Sequence, residues 1–282
     1  MNMGTYAVTG SASGMGQAAA RRLRADGNRV IGVDLRDAEV IADLSTPQGR
    51  SEAAAKVLEL CEGRLDGAIM AAGVGPLPNR DAVPLILSVN YLGVVELLKK
   101  WRPALAVGGQ AKVVVVGSNS SSTMPMVPLS AVRALLGDDL GRALKILRRY
   151  RAVAPSLAYG ASKIAVARWV RRTAVQQSWA GAGIRLNAVA PGAIRTPLLE
   201  KQLASPREAR AVQSFPVPVG GFGDPEHIAA WMVFMLFDTA EFLCGSVIFV
   251  DGGSDAYFRW ADWPRRVPTY RLPQYALRYL RR

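Results

Sequence analysis

Two kinds of hydrophobic pattern alternate along this chain. Short apolar runs at residues 5–9, 29–34, 66–71, 112–116, 184–189 and 247–250 predict strands. The β-branched run at 112–116 is the kind that lies at the centre of a sheet. Between the runs are segments with helical periodicity, at 15–25, 46–61, about 85–101 and about 157–178. Pro47 stands in the first turn of the second helix, and Asp224-Pro225 opens a further one with a cap and a proline at its first position. Strand and helix in alternation predict a parallel sheet covered on both faces. The expected architecture is a doubly wound, Rossmann-type α/β fold in a single domain, residues 1–253. It carries a helical insertion at 123–155 and a basic, aromatic C-terminal extension at 254–282, with no internal repeat.

Composition narrows the function classes. Half of the 282 residues are hydrophobic and 20% are charged, which excludes disorder and supplies a large core. Apolar runs such as 228–237 are about half of what a bilayer span needs. The N-terminus runs straight into strand-like Tyr6-Ala7-Val8, a pattern unlike a signal peptide. Cys61 and Cys244 form neither a metal-ligand spacing nor a disulfide framework, so a reducing, cytoplasmic setting without a structural metal is expected. The net charge of +13 would suggest a nucleic-acid partner if it were evenly spread. The segment 123–155 carries a net +4 and the tail 254–282 a net +5, which leaves a nearly ordinary body and no expected nucleic-acid partner.

The candidate chemistry lies at loops that follow predicted strands. Thr9-Gly10-Ser11-Ala12-Ser13-Gly14-Met15-Gly16 separates the first strand from the first helix. Glycines there let the backbone turn tightly and approach a pyrophosphate, which rests on the positive end of the helix. Asp34 ends the second strand, 18 residues after Gly16, where a carboxylate hydrogen-bonds the adenosine ribose of NAD and repels a 2′-phosphate. Arg36 is the residue that would accommodate NADP, yet Asp34 beside it makes NAD the expected cofactor. Asp43-Leu44 is placed to border the adenine, while Asp43 by itself fits a turn equally well.

Tyr159 and Lys163 lie four apart on one helical face. A tyrosine titrates near 10, so general-base work near neutral pH asks its surroundings for about 4 kcal/mol. A neighbouring ammonium stabilises the phenolate in that direction.

With these pieces in place the sequence resembles the short-chain dehydrogenase/reductase family. The resemblance rests on the Thr9 to Gly16 loop, Ala71-Ala72-Gly73, Asn90, Ser118, Tyr159-Gly160-Ala161-Ser162-Lys163 and Pro191-Gly192-Ala193-Ile194-Arg195-Thr196, in family order. Met70 departs from the asparagine that many members carry before Ala-Ala-Gly. The resemblance implies Tyr159 as general acid/base, Ser118 polarising the substrate oxygen, and Lys163 binding the nicotinamide ribose and lowering the tyrosine pKa. Asn90 would hold a water in a proton relay. It further implies cofactor contacts from Gly10, Ser13, Gly14, Met15, Gly16, Asp34, Leu35, Asp43, Leu44, Ala72, Gly73, Tyr159, Lys163, Pro191, Gly192, Ile194 and Thr196.

The stretch 34–45 and the 41-residue spacing from Ser118 to Tyr159 resemble the bacterial 3α-hydroxysteroid dehydrogenase/carbonyl reductases within that family. That implies an NAD(H)-dependent oxidoreductase that interconverts a secondary alcohol and a ketone. A 3α-hydroxysteroid or similar apolar alicyclic compound is the first expectation. A diol or xenobiotic carbonyl dehydrogenase of the same mechanism is the alternative, and a non-catalytic dinucleotide-binding regulator is a third reading. A loop at 195–218, carrying Leu198, Leu199 and Leu203, is expected to close over the substrate.

His227, the chain's only histidine, falls in the first turn of a capped helix and reads as a surface residue. Glu226 and Asp224 read as partners of that helix's dipole. In the insertion, Leu140, Leu144 and Leu147 form an apolar stripe with Arg142, Lys145, Arg148 and Arg149 off it. In the resembling group such an insertion covers the face used elsewhere for tetramers, so a homodimer is expected. In the tail, Tyr257, Phe258, Trp260, Trp263, Tyr270, Tyr275 and Tyr279 stand among Pro264, Pro268 and Pro273, leaving regular helix to about 274–280. Packing at the substrate entrance or the dimer contact is preferred there to membrane contact, because the aromatics look scattered.

Overall fold

The computed structural model describes residues 3–76, 81–263 and 266–280. The elements begin with β1 (Thr5–Thr9), α1 (Gly14–Ala25), β2 (Arg29–Asp34), β3 (Val40–Ile41), α2 (Pro47–Leu60) and β4 (Gly67–Met70). A helical rod follows, made of α3 (Ala82–Leu87), a π-helical turn (Ser88–Leu92) and α4 (Gly93–Ala106). Next come β5 (Lys112–Val116), the single turn α5 (Ser120–Thr123), α6 (Leu129–Leu136), α7 (Leu140–Arg148) and α8 (Ala154–Thr173). The last part holds β6 (Arg185–Pro191), α9 (Pro197–Leu203), α10 (Pro206–Gln213), α11 (Pro225–Phe234), β7 (Val247–Val250), α12 (Ser254–Arg259) and α13 (Leu272–Leu280).

The strands form one parallel sheet in the order β3-β2-β1-β4-β5-β6-β7. In its middle, Val8 pairs with Gly32 and Ile69, Ile69 with Val114, and Val114 with Asn187. All five residues of β5 are buried, which is why that strand reads as a continuous apolar run rather than an alternation. One core lies under α2, α4 and α8, where Val57, Leu97, Leu98 and Trp101 are buried, together with Ala143 and Leu147 of the insertion. The other lies under α1 and α11, with Ala19, Leu23, Ile228 and Met232. Each such side chain withdrawn from water contributes about 1.5–3 kcal/mol for the larger aliphatics and aromatics. The strand order reverses between β1 and β4, so their C-terminal ends flank the crevice where ligands of open α/β sheets bind.

The structure corrects four expectations of element and extent. β3 is a two-residue strand that the pattern did not announce, paired with Val33 and Asp34, while the Gly32 N–H beside it donates to Glu39 Oε2 at 2.7 Å. α8 stops at Thr173 rather than near 178, and the chain turns so that Trp179 packs edge-on against Trp169, with ring centroids 5.8 Å apart. The stretch 195–218 holds two helices, α9 and α10, each entered through a proline. Residues Ala82–Ala106 form a 25-residue rod long and apolar enough to cross a bilayer, whereas the apolar runs looked shorter. That rod is largely buried and belongs to the core.

The insertion folds as the stripe required: Leu147 is buried, Leu140 and Leu144 pack against the core, and Arg142, Lys145, Arg148 and Arg149 are exposed. In the tail, α12 is tied down, since Asp251 accepts hydrogen bonds from the Gly253 and Asp255 N–H groups and the Ser254 hydroxyl donates to the Pro216 carbonyl at 2.7 Å. Beyond it, the described residues lie on the surface. Pro264 is outside the described residues.

Candidate active site

Every loop that carries a candidate residue leaves the sheet at the C-terminal end of its strand. After β1, Gly10 has φ +71°, and a Cβ there would meet the Ala72 backbone nitrogen at 2.7 Å. A Cβ at Gly16 would meet the Gly10 carbonyl oxygen at 2.1 Å. Side chains are therefore excluded at both positions, and the turn leaves a cradle of bare backbone. The Thr9 hydroxyl accepts from the Ala72 N–H at 3.1 Å and joins the loop to the end of β4. Ser13 occupies the N-cap of α1 without a side-chain hydrogen bond, and no acidic residue stands in the first helical turn. The positive end of that helix therefore faces the crevice uncompensated. Met15 packs down onto the second core.

Asp34 closes this end of the site. One carboxylate oxygen accepts from the Ala12 N–H at 2.9 Å and the other from the Leu35 N–H at 2.7 Å, so the group is held at the rim of the glycine loop. The Leu35 side chain is exposed. Arg36 points into solvent, 3.9 Å from the equally exposed Asp37, a pairing worth little. Asp43 uses its carboxylate to accept from the Ser45 N–H in the turn that leads into α2. Leu44 is buried beside Gly93 at the start of α4. The turn bond uses Oδ1 of Asp43, and the Leu44 side chain serves the core.

The catalytic candidates converge from three elements. Tyr159 and Lys163 share one face of α8, with Nζ 5.9 Å from the phenol ring centroid. Lys163 Nζ donates to the Val116 carbonyl at the end of β5 at 3.0 Å. Burial lowers its pKa to about 8, which still leaves it mostly charged near neutral pH. Burial raises the Tyr159 pKa, and a hydrogen bond from the Ser118 hydroxyl opposes that rise. Ser118 Oγ also accepts from the Ser120 N–H at 3.1 Å, which fixes its place just beyond β5.

Asn90 sits in the π-helical turn that interrupts the rod, a distortion frequent at functional sites. Its side chain is almost fully committed. Oδ1 accepts from the Val74 N–H at 2.8 Å, and Nδ2 donates to the Val74 carbonyl at 2.9 Å and to Ser162 Oγ at 3.4 Å. One lone pair on Oδ1 is left for a water. A Cβ placed on Gly73 would lie 3.3 Å from that oxygen and 3.8 Å from Lys163 Nζ, so Ala72-Gly73, Asn90 and Lys163 meet at one point.

Ser162 stands in the sequence only as part of the Tyr159 to Lys163 motif. Buried completely, it donates to the Tyr159 carbonyl at 2.7 Å and receives Asn90, linking the rod to α8. The i, i+3 spacing from Tyr159 was its only sequence signal. Asn119 Nδ2 and Ser120 Oγ, next to Ser118, are buried without a partner among the described residues.

The far wall comes from the 191–196 segment. The Pro191 carbonyl accepts from the Asn119 N–H at 2.9 Å, and the Gly192 N–H donates to the Val250 carbonyl at 3.2 Å. Ile194 is buried, and Thr196 caps α9 while its methyl lies 3.2 Å from where a Gly14 Cβ would stand. From α9, Leu198 reaches across to Gly75, where a Cβ would meet Cδ1 at 3.0 Å. Phe215, after α10, packs on Phe258 of α12 with centroids 5.5 Å apart. The start of the tail therefore borders this wall. His227 is exposed, and Glu226 is engaged by Arg21 and Arg22 of α1, with Arg22 Nε at 3.2 Å.

Comparison with known proteins matches this geometry to a family. The sequence pattern described as "short chain dehydrogenase" matches residues 5–131, and the one described as "Enoyl-(Acyl carrier protein) reductase" matches residues 142–255. The 3-alpha-hydroxysteroid dehydrogenase/carbonyl reductase of Comamonas testosteroni is 37% identical over 257 residues, 91% of this chain and 98% of that protein. Coniferyl-alcohol dehydrogenase of a Pseudomonas species is 31% identical over 258 residues, 87% of this chain and 94% of that protein. Among solved structures, the 3-alpha-hydroxysteroid dehydrogenase from Pseudomonas sp. B-0831 complexed with NADH superposes with a TM-score of 0.85 at 42% identity, covering 92% of this chain and all of that one.

Proposed function

Since this chain belongs to the short-chain dehydrogenase family, we propose that it is an NAD(H)-dependent oxidoreductase that interconverts a secondary alcohol and a ketone, with 3α-hydroxysteroids or similar apolar alicyclic compounds as substrates. The observation that carries this reading is the convergence of Tyr159, Lys163, Ser118 and Asn90 at the mouth of the glycine loop. A dinucleotide-binding regulator would have no need of that grouping.

The cofactor reading rests on the fit of the cradle. The bare backbone at Gly10 and Gly16, the uncompensated start of α1 and the anchored Asp34 carboxylate suit a pyrophosphate and an unphosphorylated ribose. Bound there, NAD(H) supplies the hydride donor or acceptor. In the direction of ketone reduction, Tyr159 gives its phenolic proton to the substrate oxygen, and the Ser118 hydroxyl hydrogen-bonds the same oxygen. Burial keeps the phenol protonated near neutral pH, which suits an acid. In the direction of alcohol oxidation, the charged Lys163 beside it stabilises the phenolate. Ser162 and the Val74 backbone hold Asn90, which keeps a water within reach of Lys163 for the proton's passage to solvent.

The substrate class is supported by the apolar wall of Leu198 and the Phe215–Phe258 pair. Similarity to a relative named for both steroid dehydrogenase and carbonyl reductase activity points the same way. A panel of ketosteroids and simple cyclic ketones, each offered with NADH and with NADPH, tests the proposal. Faster turnover of small acyclic carbonyls than of any steroid or alicyclic ketone would overturn the substrate class.

We further propose residues 1–253 as the catalytic unit and a homodimer as the assembly. α6 packs against α8 and α7 against α3 and α8, so the insertion takes up helical surface that a second pair of subunits would need. Light scattering at micromolar concentration that returned a tetramer would refute this role of the insertion.

A further inference from the structure

The tail beyond α12 has no counterpart in the work of the site, and the structure places its side chains in water. Among the described residues from Ala261 to Leu280, every one is exposed except Pro268, which is half-buried. Trp260 is 79% exposed, Trp263 68% and Leu280 78%, which is unusual for large apolar side chains. Within the last helix the tail is not scattered. α13 starts at Leu272, and its residues sort by face. Leu272, Ala276 and Leu280 recur every four residues along one face, with Tyr275 and Tyr279 at one edge and Leu277 at the other. Arg271, Gln274 and Arg278 lie opposite.

Charge decides what this face meets. The tail carries seven arginines against Asp255 and Asp262. Arg259 is paired with Asp255, whereas no carboxylate among the described residues lies within salt-bridge distance of Arg266, Arg271 or Arg278. A second copy of this chain carries the same basic tail and insertion, so pairing the tail with either brings like charges together, and its nearly neutral body offers no charge complement. A nucleic acid would engage the arginines but leave Leu272, Ala276 and Leu280 in water. An anionic lipid surface satisfies both faces. Its charge complements the arginines, its acyl boundary takes the leucines, and tyrosine and tryptophan sit well at headgroup level.

We propose that Trp260, Trp263 and residues 266–280 form a peripheral anchor that lays α13 in the surface of a bilayer containing acidic phospholipid. The proposal is independent of which alcohol or ketone the active site takes. The whole chain is tested by co-sedimentation with vesicles of phosphatidylcholine alone and of phosphatidylcholine with phosphatidylserine. Two full-length variants are run beside it, Arg271→Gln/Arg278→Gln and Tyr275→Ser/Tyr279→Ser. All of these side chains are exposed, so both variants should fold and keep wild-type turnover of the same soluble substrate. The expected result is binding to the acidic vesicles only, weakened by added salt and weakened roughly 30-fold by removal of the two arginines. The tyrosine variant should also bind less. Failure to bind acidic vesicles overturns the proposal, as does binding that neither variant reduces. A loss of dimer in the variants without vesicle binding in the wild type overturns it too, by assigning the face to a second copy.

Discussion

Lys163 offers a test that is read in the pH dependence of stability. Its ammonium is buried in α8, and burial alone lowers its pKa from 10.5 to about 8. At 1.36 kcal/mol per pKa unit, holding the charged form inside costs the folded state about 3 kcal/mol near neutral pH. Lys163→Met removes that cost but leaves the Val116 carbonyl without the donor it has at 3.0 Å, a loss of about 1–3 kcal/mol. The net change near neutral pH is therefore small, and the pH dependence carries the information. Below the folded-state pKa both states are protonated and the penalty is present in full. Between about 8 and 10.5 the folded lysine is neutral while the unfolded one still holds its proton, so wild-type stability rises with pH there. Relative to Lys163→Met, the wild type should gain about 2 kcal/mol between roughly pH 7 and pH 9.5. Urea unfolding of the cofactor-free proteins, followed by circular dichroism at the two pH values, measures it. A difference between the two proteins that stays constant across that range would show that Lys163 is not a buried charge. The same variant should lose at least ~100-fold in kcat/KM if Lys163 positions the proton transfer.

Three further outcomes follow from the site. Tyr159→Phe should lower kcat by about 10²–10⁴-fold while NADH affinity, measured by fluorescence titration, stays within a few-fold; a variant with near wild-type kcat would place the proton donor elsewhere. Asp34→Ala should narrow the preference for NADH over NADPH by removing the carboxylate and freeing Arg36 for a phosphate, and a wild-type kcat/KM that already favours NADPH would put Arg36 in charge. Gly10→Ala should weaken dinucleotide binding and lower the thermal midpoint, because φ +71° and a 2.7 Å approach to the Ala72 nitrogen leave no room for a methyl group. An unchanged midpoint would mean that the loop is not held as described.

Much of the fold was legible in the sequence because its signals are local. A strand buried on both faces is largely apolar, which made β1, β2 and β5 readable to the residue, and the half-buried edge strand β7 is apolar as well. Glycines bounded by a strand and a helix announced the cradle, and four-residue spacing put Tyr159 and Lys163 on one face. Composition alone located the excess charge in the insertion and the tail.

Tertiary structure decided what depends on distant backbone. Asn90 is held by Val74, 16 residues away, and by Ser162, 72 residues away, and no periodicity encodes a side chain's bond to another loop's peptide group. Asp43 Oδ1 closes a local turn on the Ser45 N–H and the Leu44 side chain enters the core beside Gly93 of α4, contacts that depend on how α4 packs. The stretch 195–218 reads as a loop in sequence, yet a proline can also open a helix. At the first helical position it costs nothing, and α9 and α10 begin with Pro197 and Pro206. In the tail, apolar residues that look irregular in sequence gather on one side of α13 only when wound at 3.6 residues per turn, and only the packed body shows that it leaves that side uncovered.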